Sequence, residues 1–417
     1  MVYCLFEDKV RDFLPLVHLR PVFDLTCGIL TLRQKWEKVL PGNRFRIAVR
    51  EELHEFRARP DLLMESDAGA SDGTWLINGR FLPDTGLRTV LRKKPRTPKI
   101  LVCGDAVAAA YLHAGELRTL FSGWSSGLPD FSLLPGVRRE EVPARALSNF
   151  WDLVRLNAGE ISEDRILLKK DLRGVKRKNH PGAHFVKGAG IFAGKRTVIR
   201  PGVVIDAENG PVIIGSDVTI MPNAVIMGPS AIGSGATIKI GAKIYGGTTI
   251  GDHCKVGGEV EASVMLPWSN KQHEGFLGHS YLGSWVNIGA DTNTSDLKNT
   301  YGPVSIVRRG KKIDTGMQFL GLTMGDHSKS GINVMFDTGT VVGVCCNVFG
   351  AGLPPKEIPS FSWGGAGNFA AYDPEKGFAV MKIVMARRNV RPGEEYGRTV
   401  REVFARTASD RELAGIR

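Results

Sequence analysis

Between Ser269 and Asn299 the chain gathers Lys271, His273, Glu274, His279, Asn287, Asp291 and Asn293. A histidine titrates near neutral pH, so His273 could take a proton from an amine or a hydroxyl. Lys271 and, further off, Lys255 could grip a phosphate. A second set of cations, Arg20, Arg33 and Lys35, lies near the N-terminus and could hold phosphates there. Asp105 is a candidate metal ligand, though Gly104-Asp105 also reads as a hairpin turn. The formal charge of +12 and pI of about 9.4 favour anionic partners of this kind. No basic run is interleaved with aromatics, so nucleic acid is not expected as a partner. His253, His273, His279 and His327 leave a zinc-dependent reading open, although each has a different local context.

Those residues need a scaffold, and the spacing of the aliphatics supplies one. Ile214, Ile220, Ile226, Ile232, Ile238, Ile244, Ile250 and Val256 recur at every sixth position, often followed by Gly and a small polar residue. A period of six is that of a coil with three flat faces, a left-handed parallel β-helix of hexapeptide repeats, in which each recurring aliphatic points to the axis. Val198 and Val204 read as its first rungs. After Val256 the register slips by two and resumes at Phe276, Leu282 and Ile288. The slip places residues 262–273, with Lys271 and His273, on a bulge from the coil. Thr300–Thr315 reads as a second excursion turning at Arg309-Gly310, and coils return at Met324, Phe336, Val342 and Val348.

The remainder of the chain is less regular. Residues 1–180 alternate strand-like and helix-like periods, as in an α/β domain. Val2–Phe6, Phe45–Val49, Trp75–Ile77 and Ile100–Cys103 read as strands, Ala106–Tyr111 as strand or helix, and Leu30–Leu40 and Ala144–Asn157 as helices. Residues 181–372 form the repeat domain. Residues 373–417 form a helical tail, with Phe378–Arg388 and Glu394–Thr407 as candidate helices that cap the open end of the solenoid. The six cysteines are scattered without a C-x-x-C, which suits reduced thiols in a cytosol. No apolar run reaches about 18 residues and no signal-like segment opens the chain, so a soluble cytoplasmic protein with no membrane partner is expected.

The stretch K-Q-H-E-G-F-L-G-H-S-Y-L-G-S-W-V-N-I-G-A-D-T-N-T resembles the acetyltransferase half of the bifunctional uridyltransferase/glucosamine-1-phosphate acetyltransferase family, which carries A-G-H-x-x-Y-L-G-D…N-x-G-A-G-T. Nearly the whole chain resembles a divergent branch of sugar nucleotidyltransferases. That likeness rests on L-P-L-V-H-L-R-P-V-F-D-L (14–25), G-I-L-T-L-R-Q-K-W (28–36), G-A-K-I-Y-G (241–246), K-V-G-G-E-V (255–260), S-N-K-Q-H-E-G-F-L-G (269–278) and T-S-D-L-K-N (294–299). The resemblance implies a Rossmann-like α/β nucleotidyltransferase-like domain followed by a β-helix acyltransferase domain, which in such folds forms a homotrimer. It places the base on His273 and the sugar-phosphate side on Lys255, Glu261, Asn270, Lys271 and Asn287. Acetyl-CoA falls to Ala290, Asn299, Tyr301 and Gly331. UTP or a UDP-sugar falls to Arg20, Arg33 and Lys35, with Mg²⁺ at Asp105. The implied activity is acetyl-CoA-dependent N-acetylation of an amino-sugar 1-phosphate, with uridylyl transfer as a second activity. A nucleotide-sugar-binding scaffold or sensor and a zinc-dependent β-helix lyase are the alternatives. Three departures stand out. Phe276 lacks a hydroxyl, Ile332 stands where a serine is usual, and Leu5-Phe6-Glu7-Asp8 has no G-x-G-T-R loop.

Overall fold

A computed structural model describes residues 1–42, 44–64, 73–122 and 128–417. Its N-terminal domain is a six-stranded mixed sheet. The strands are β1 (Val2–Phe6), β2 (Arg44–Ile47), β3 (Thr74–Asn78), β4 (Lys99–Cys103), β5 (Ala106–Leu112) and β6 (Arg138–Glu141), in the order β2-β1-β3-β5-β4-β6. β1 runs parallel to β2 and β3, while β5 runs antiparallel to β3 and β4. All five residues of β3 are buried, as a strand covered on both faces requires. Helix α1 (Leu32–Val39) starts at a capping box in which Thr31 and Gln34 satisfy each other's backbone N–H groups. It buries Leu32, Lys35, Trp36 and Val39, one face of the helix.

The helix expected over 144–157 starts late. Asp152 accepts the N–H groups of Ser148 and Asn149, which withholds them from a helical ladder. Only Asp152–Arg155 and then Asn157–Leu167 are helical.

From His184 onward the chain winds into parallel coils. Their strands stack into a nine-stranded, a six-stranded and a five-stranded face, the last two continued by shorter ladders. All eight aliphatics from Ile214 to Val256 are buried against the axis, none more than 3% exposed. Burying each such side chain is worth roughly 1.5–3 kcal/mol, so stacking along the axis dominates the stability of this half. Three rungs differ from the expected register. The inward residues are Ile199, Ile205 and Leu277, while Val198, Val204 and Phe276 point outward. The second excursion is the expected hairpin, Ser305–Arg308 against Lys311–Asp314, turning at Arg309-Gly310.

The first excursion does not exist. Residues 262–273 stay in the coil, which is shortened instead. Val256 pairs with Lys271, fifteen residues on, whereas Ile238 pairs with Val256 across eighteen. Lys271 therefore occupies an inward, aliphatic rung and is 1% exposed. Its Nζ donates to the carbonyls of Gly257 (3.2 Å) and His273 (3.0 Å). Burial lowers its pKa to about 8 against 10.5 when unfolded. Between those two values the unfolded chain holds a proton that the folded chain has shed, so unfolding takes up a proton and is disfavoured as pH rises. We expect the unfolding free energy to gain up to ~3 kcal/mol from pH 8 to 10.5 through this group. Chemical denaturation of wild type and Lys271→Met across that range checks it; the same slope in both would contradict it.

The N-terminal domain lies on the nine-stranded face. Val264, Leu266 and Tyr281 of the coils, with Val304, Ile306 and Leu320 of the excursion, share one apolar core with Leu16, Phe23 and Phe150. Polar ties cross the same seam. The Tyr281 hydroxyl donates to Thr26 O (3.0 Å) and accepts from Thr26 N (3.1 Å). Asn157 Nδ2 donates to Gly247 O (2.7 Å), and Thr249 Oγ1 to Gly28 O (2.7 Å). The tail forms α7 (Pro374–Ala386), α8 (Glu394–Arg406) and α9 (Ala408–Leu413), numbered here for the tail with helices α2–α6 at His54–Arg57, Thr85–Leu91, Ala114–Ser122, Asp152–Arg155 and Asn157–Leu167. Among the described residues no helix is long and apolar enough to cross a membrane.

Candidate functional site

One corner of the solenoid joins the six-stranded face, at Phe276–Gly278, to the nine-stranded face, at Tyr281–Leu282. His279 makes that corner with a positive φ of 42°. Its Nδ1 lies 2.8 Å from Asp296 Oδ2, and its ring stacks on Phe319 at 5.0 Å. Both partners come from the two ends of the 296–320 excursion, closed by the Leu320 N–H bond to Asp296 O (2.9 Å). Gly278 is needed beside them, because a Cβ there would overlap Asp296 Oδ2. An ionised carboxylate can only accept, so Nδ1 carries the proton and Nε2 keeps a lone pair. Glu261 stands one coil below, paired in register with Gly278.

His273, the expected base, is exposed at a different corner, and its ring makes no hydrogen bond or ion pair with any described residue. The histidine with a carboxylate orienter is His279. It lies inside the same G-H-S-Y-L-G string, and its signal in the sequence was the H-x-Y-L-G spacing. Lys271 cannot reach a substrate either, since its ammonium is folded into the coil.

The remaining expected residues fall into two groups. Lys255, Asn270 and Asn287 are consecutive partners on the five-stranded face, one outward column. Ala290 and Gly331 make neighbouring corners beside it. There Gly289 N–H donates to Ser330 Oγ (2.9 Å), and Gly331 O accepts from Thr292 Oγ1 (3.0 Å). Asn299 and Tyr301 are exposed on the excursion, as Ile332 is on its coil. His279 and Glu261 are on the other edge of the six-stranded face. Cavities of about 770 and 520 Å³ lie elsewhere, and neither is lined by His279.

The N-terminal cations are committed to carboxylates. Arg20 Nη2 meets the buried Asp326 at 2.5 Å, across the seam between the domains. Arg33 holds Glu37 and Asp61, both at 2.7 Å. Lys35, 1% exposed, lies between Glu160 (2.9 Å) and Asp164 (2.5 Å). Burial works against its charge, but the two carboxylates outweigh it and raise its pKa. Open α/β sheets bind ligands beyond the carboxyl ends of their strands. Here those ends carry Glu7, bonded to Arg50 and to Val22 N, and Asp8, bonded to Arg80. The three expected phosphate ligands are thus structural ties. Asp105 projects from the β4–β5 turn, exposed. Among the described residues no group of three or more His, Cys, Asp or Glu could hold a metal. The histidines do not converge: His253 stacks on Trp268 at 4.0 Å, and buried His327 bonds Tyr396.

Comparison with known proteins adds four findings. A family model described as sugar nucleotidyl transferase matches residues 3–173. The bifunctional protein GlmU of Methanocaldococcus jannaschii is 32% identical over 102 residues, 24% of this chain and 25% of that protein. A bifunctional sugar-1-phosphate nucleotidylyltransferase/acetyltransferase of Sulfurisphaera tokodaii is 30% identical over 106 residues, 25% and 26% of the two chains. The chain thus spans about a quarter of the length of these bifunctional relatives. An uncharacterized acetyltransferase of Escherichia coli is 32% identical over 168 residues, 40% of this chain and 73% of that protein.

Proposed function

This chain belongs to the acetyltransferase family of its Escherichia coli relative, its residues 3–173 match a sugar nucleotidyl transferase model, and on that premise we propose that its β-helix transfers an acetyl group from acetyl-CoA to the amine of an amino-sugar 1-phosphate. The observation that carries the reading is the His279–Asp296 pair at an open corner beside Glu261. Nε2 of His279 accepts the amine proton as the nitrogen attacks the thioester carbon. The N–C bond forms, the C–S bond breaks, and the proton passes to the departing thiolate of coenzyme A. Asp296 stabilises the imidazolium between the two transfers.

Glu261 contacts the sugar side. Asn270, Asn287 and Lys255 bind phosphate groups, and Ala290, Gly331, Asn299 and Tyr301 line the donor. An open corner offers one wall, so a second copy supplies the other, in the homotrimer usual for this fold. With the nine-stranded face covered by the N-terminal domain, that contact uses the six- and five-stranded faces. The setting is cytoplasmic.

The family match over 3–173 favours a second reading, uridylyl transfer from UTP with Mg²⁺. The carboxylates on Arg20, Arg33 and Lys35 weigh against those residues as its triphosphate ligands. Purified full-length protein with acetyl-CoA and glucosamine 1-phosphate should release free thiol. Parallel incubation with UTP and Mg²⁺ reads pyrophosphate. Thiol release from no amino-sugar phosphate would sink acetyl transfer and leave a nucleotide-sugar-binding scaffold or sensor.

A further inference from the structure

Some arginines at the surface of this protein meet carboxylates, as Arg196 meets Asp217 and Arg309 meets Asp410. A group of four cations gathered on the five-stranded face does not. The tail helix α7 ends at Met385-Ala386, and its terminus is fixed by Arg388 N–H on Met385 O (2.9 Å) and Val390 N–H on the same carbonyl (3.0 Å). That stop holds Arg387 and Arg388 over the five-stranded face. Arg388 Nη2 donates to Asn270 Oδ1 at 3.1 Å. Asn270 is the strand partner of Lys255, and Lys239 N–H bonds Val256 O (2.8 Å), one rung away. None of Lys239, Lys255, Arg387 and Arg388 has a carboxylate within 4 Å among the described residues. Their crowding is felt at Lys255, whose pKa is lowered, by Arg388 first, then by partial burial, Lys239 and Arg387.

We propose that Arg387 and Arg388 of the tail complete, with Lys239, Lys255, Asn270 and Asn287, a binding site for a phosphoanhydride group. A guanidinium only donates, so Asn270 must turn its oxygen to Arg388, which leaves its NH₂ group for a ligand. Asn287, exposed on the next rung, adds a second amide. Rungs repeat at about 4.8 Å, so the four rungs from Lys239 to Asn287 cover about 14 Å, a length over which long lysine and arginine side chains can converge on two linked phosphates from both sides. Two phosphates bring enough negative charge to relieve four cations, and an arginine fork grips phosphate oxygens bidentately. The site flanks the six-stranded face on the edge opposite His279. A strand rise of ~3.3 Å per residue over residues 275–279 separates the two by on the order of 13 Å, so a ligand anchored here can lay its other end at His279. The identity of that ligand rests on the acetyl-transfer reading; the existence of the site does not.

Calorimetric titration of the full-length protein with inorganic pyrophosphate tests it. Arg388→Ala and Lys255→Gln are each expected to weaken binding at least tenfold. Lys311→Ala in the exposed excursion hairpin should leave it within twofold. Acetyl-CoA, UDP and glucosamine 1-phosphate are then added in separate arms, and the one that displaces pyrophosphate names the source. No binding to the wild type, or an equal loss in the Lys311 variant, overturns the site. If Arg388→Ala fails to fold, the outward Lys255→Gln carries the test alone. Pyrophosphate binding intact in a protein that releases no thiol would uphold the site while removing acetyl transfer.

Discussion

His279→Ala is expected to slow acetyl transfer by about 10²–10⁴-fold, the usual contribution of a positioned acid–base group, while His273→Ala stays within twofold of wild type. Thiol release at saturating acceptor checks both. The contrast follows from what each ring touches. His279 is oriented by Asp296 at 2.8 Å and by Phe319, so its Nε2 is presented in one tautomer. The His273 ring has no orienting partner among the described residues. Asp296→Asn provides an independent readout. The amide can donate to Nδ1 and so favours the opposite tautomer, which puts the proton on Nε2 and removes the acceptor. A loss in kcat with KM unchanged fits that role, whereas a rise in KM alone would make Asp296 a binding group. Equal activity in the His279 and His273 variants would end the assignment.

The ladder from Ile214 to Val256 was legible because each rung repeats one physical requirement, an aliphatic at the axis. The hairpin at Arg309-Gly310 and the two longer tail helices were legible from local turn and helix signals, but not the place of those helices, which pack along the coils against Trp285, Val344 and Phe361. Lys271 was not. A charged residue after a broken period reads as surface, and only the pairing with Val256 shows that the coil shortened and took the lysine inside. The choice of His273 rested on that reading, since a bulge over 262–273 made it the projecting histidine. His279 needed Asp296, seventeen residues away, to be recognised, and pairing at such distance depends on how the excursion closes. The tail arginines were invisible as neighbours of Asn270 for a similar reason: α7 folds back across more than a hundred residues of chain. The N-terminal cations misled because charge type says nothing of its partner. Arg20 reads alike whether it awaits a phosphate or already holds Asp326.

Lys35→Met is expected to cost the N-terminal domain about 3–5 kcal/mol, the usual price of stranding buried charge. Lys35 Nζ is the cation between Glu160 and Asp164, both almost fully buried. Asp164 also accepts the N–H groups of Ile29 and Leu30, at 2.8 and 3.0 Å, through its other oxygen. Arg145 still reaches Glu160 at 3.0 Å after the substitution, but Asp164 keeps only neutral donors. With total stabilities of 5–15 kcal/mol, such a loss falls well within reach of a thermal melt. A shift of roughly 10 °C follows from about 2–4 °C per kcal/mol for a domain of this size. Adding Asp164→Asn to Lys35→Met should recover part of it, because an amide oxygen can still accept from Ile29 and Leu30 without leaving a charge behind. A phosphate-ligand role gives the opposite pattern. Lys35→Met would then melt like wild type and lose only nucleotide affinity, and Asp164→Asn would rescue nothing. The melt therefore separates a lysine that holds the fold from one that holds a substrate, and wild-type stability in Lys35→Met would restore the second role.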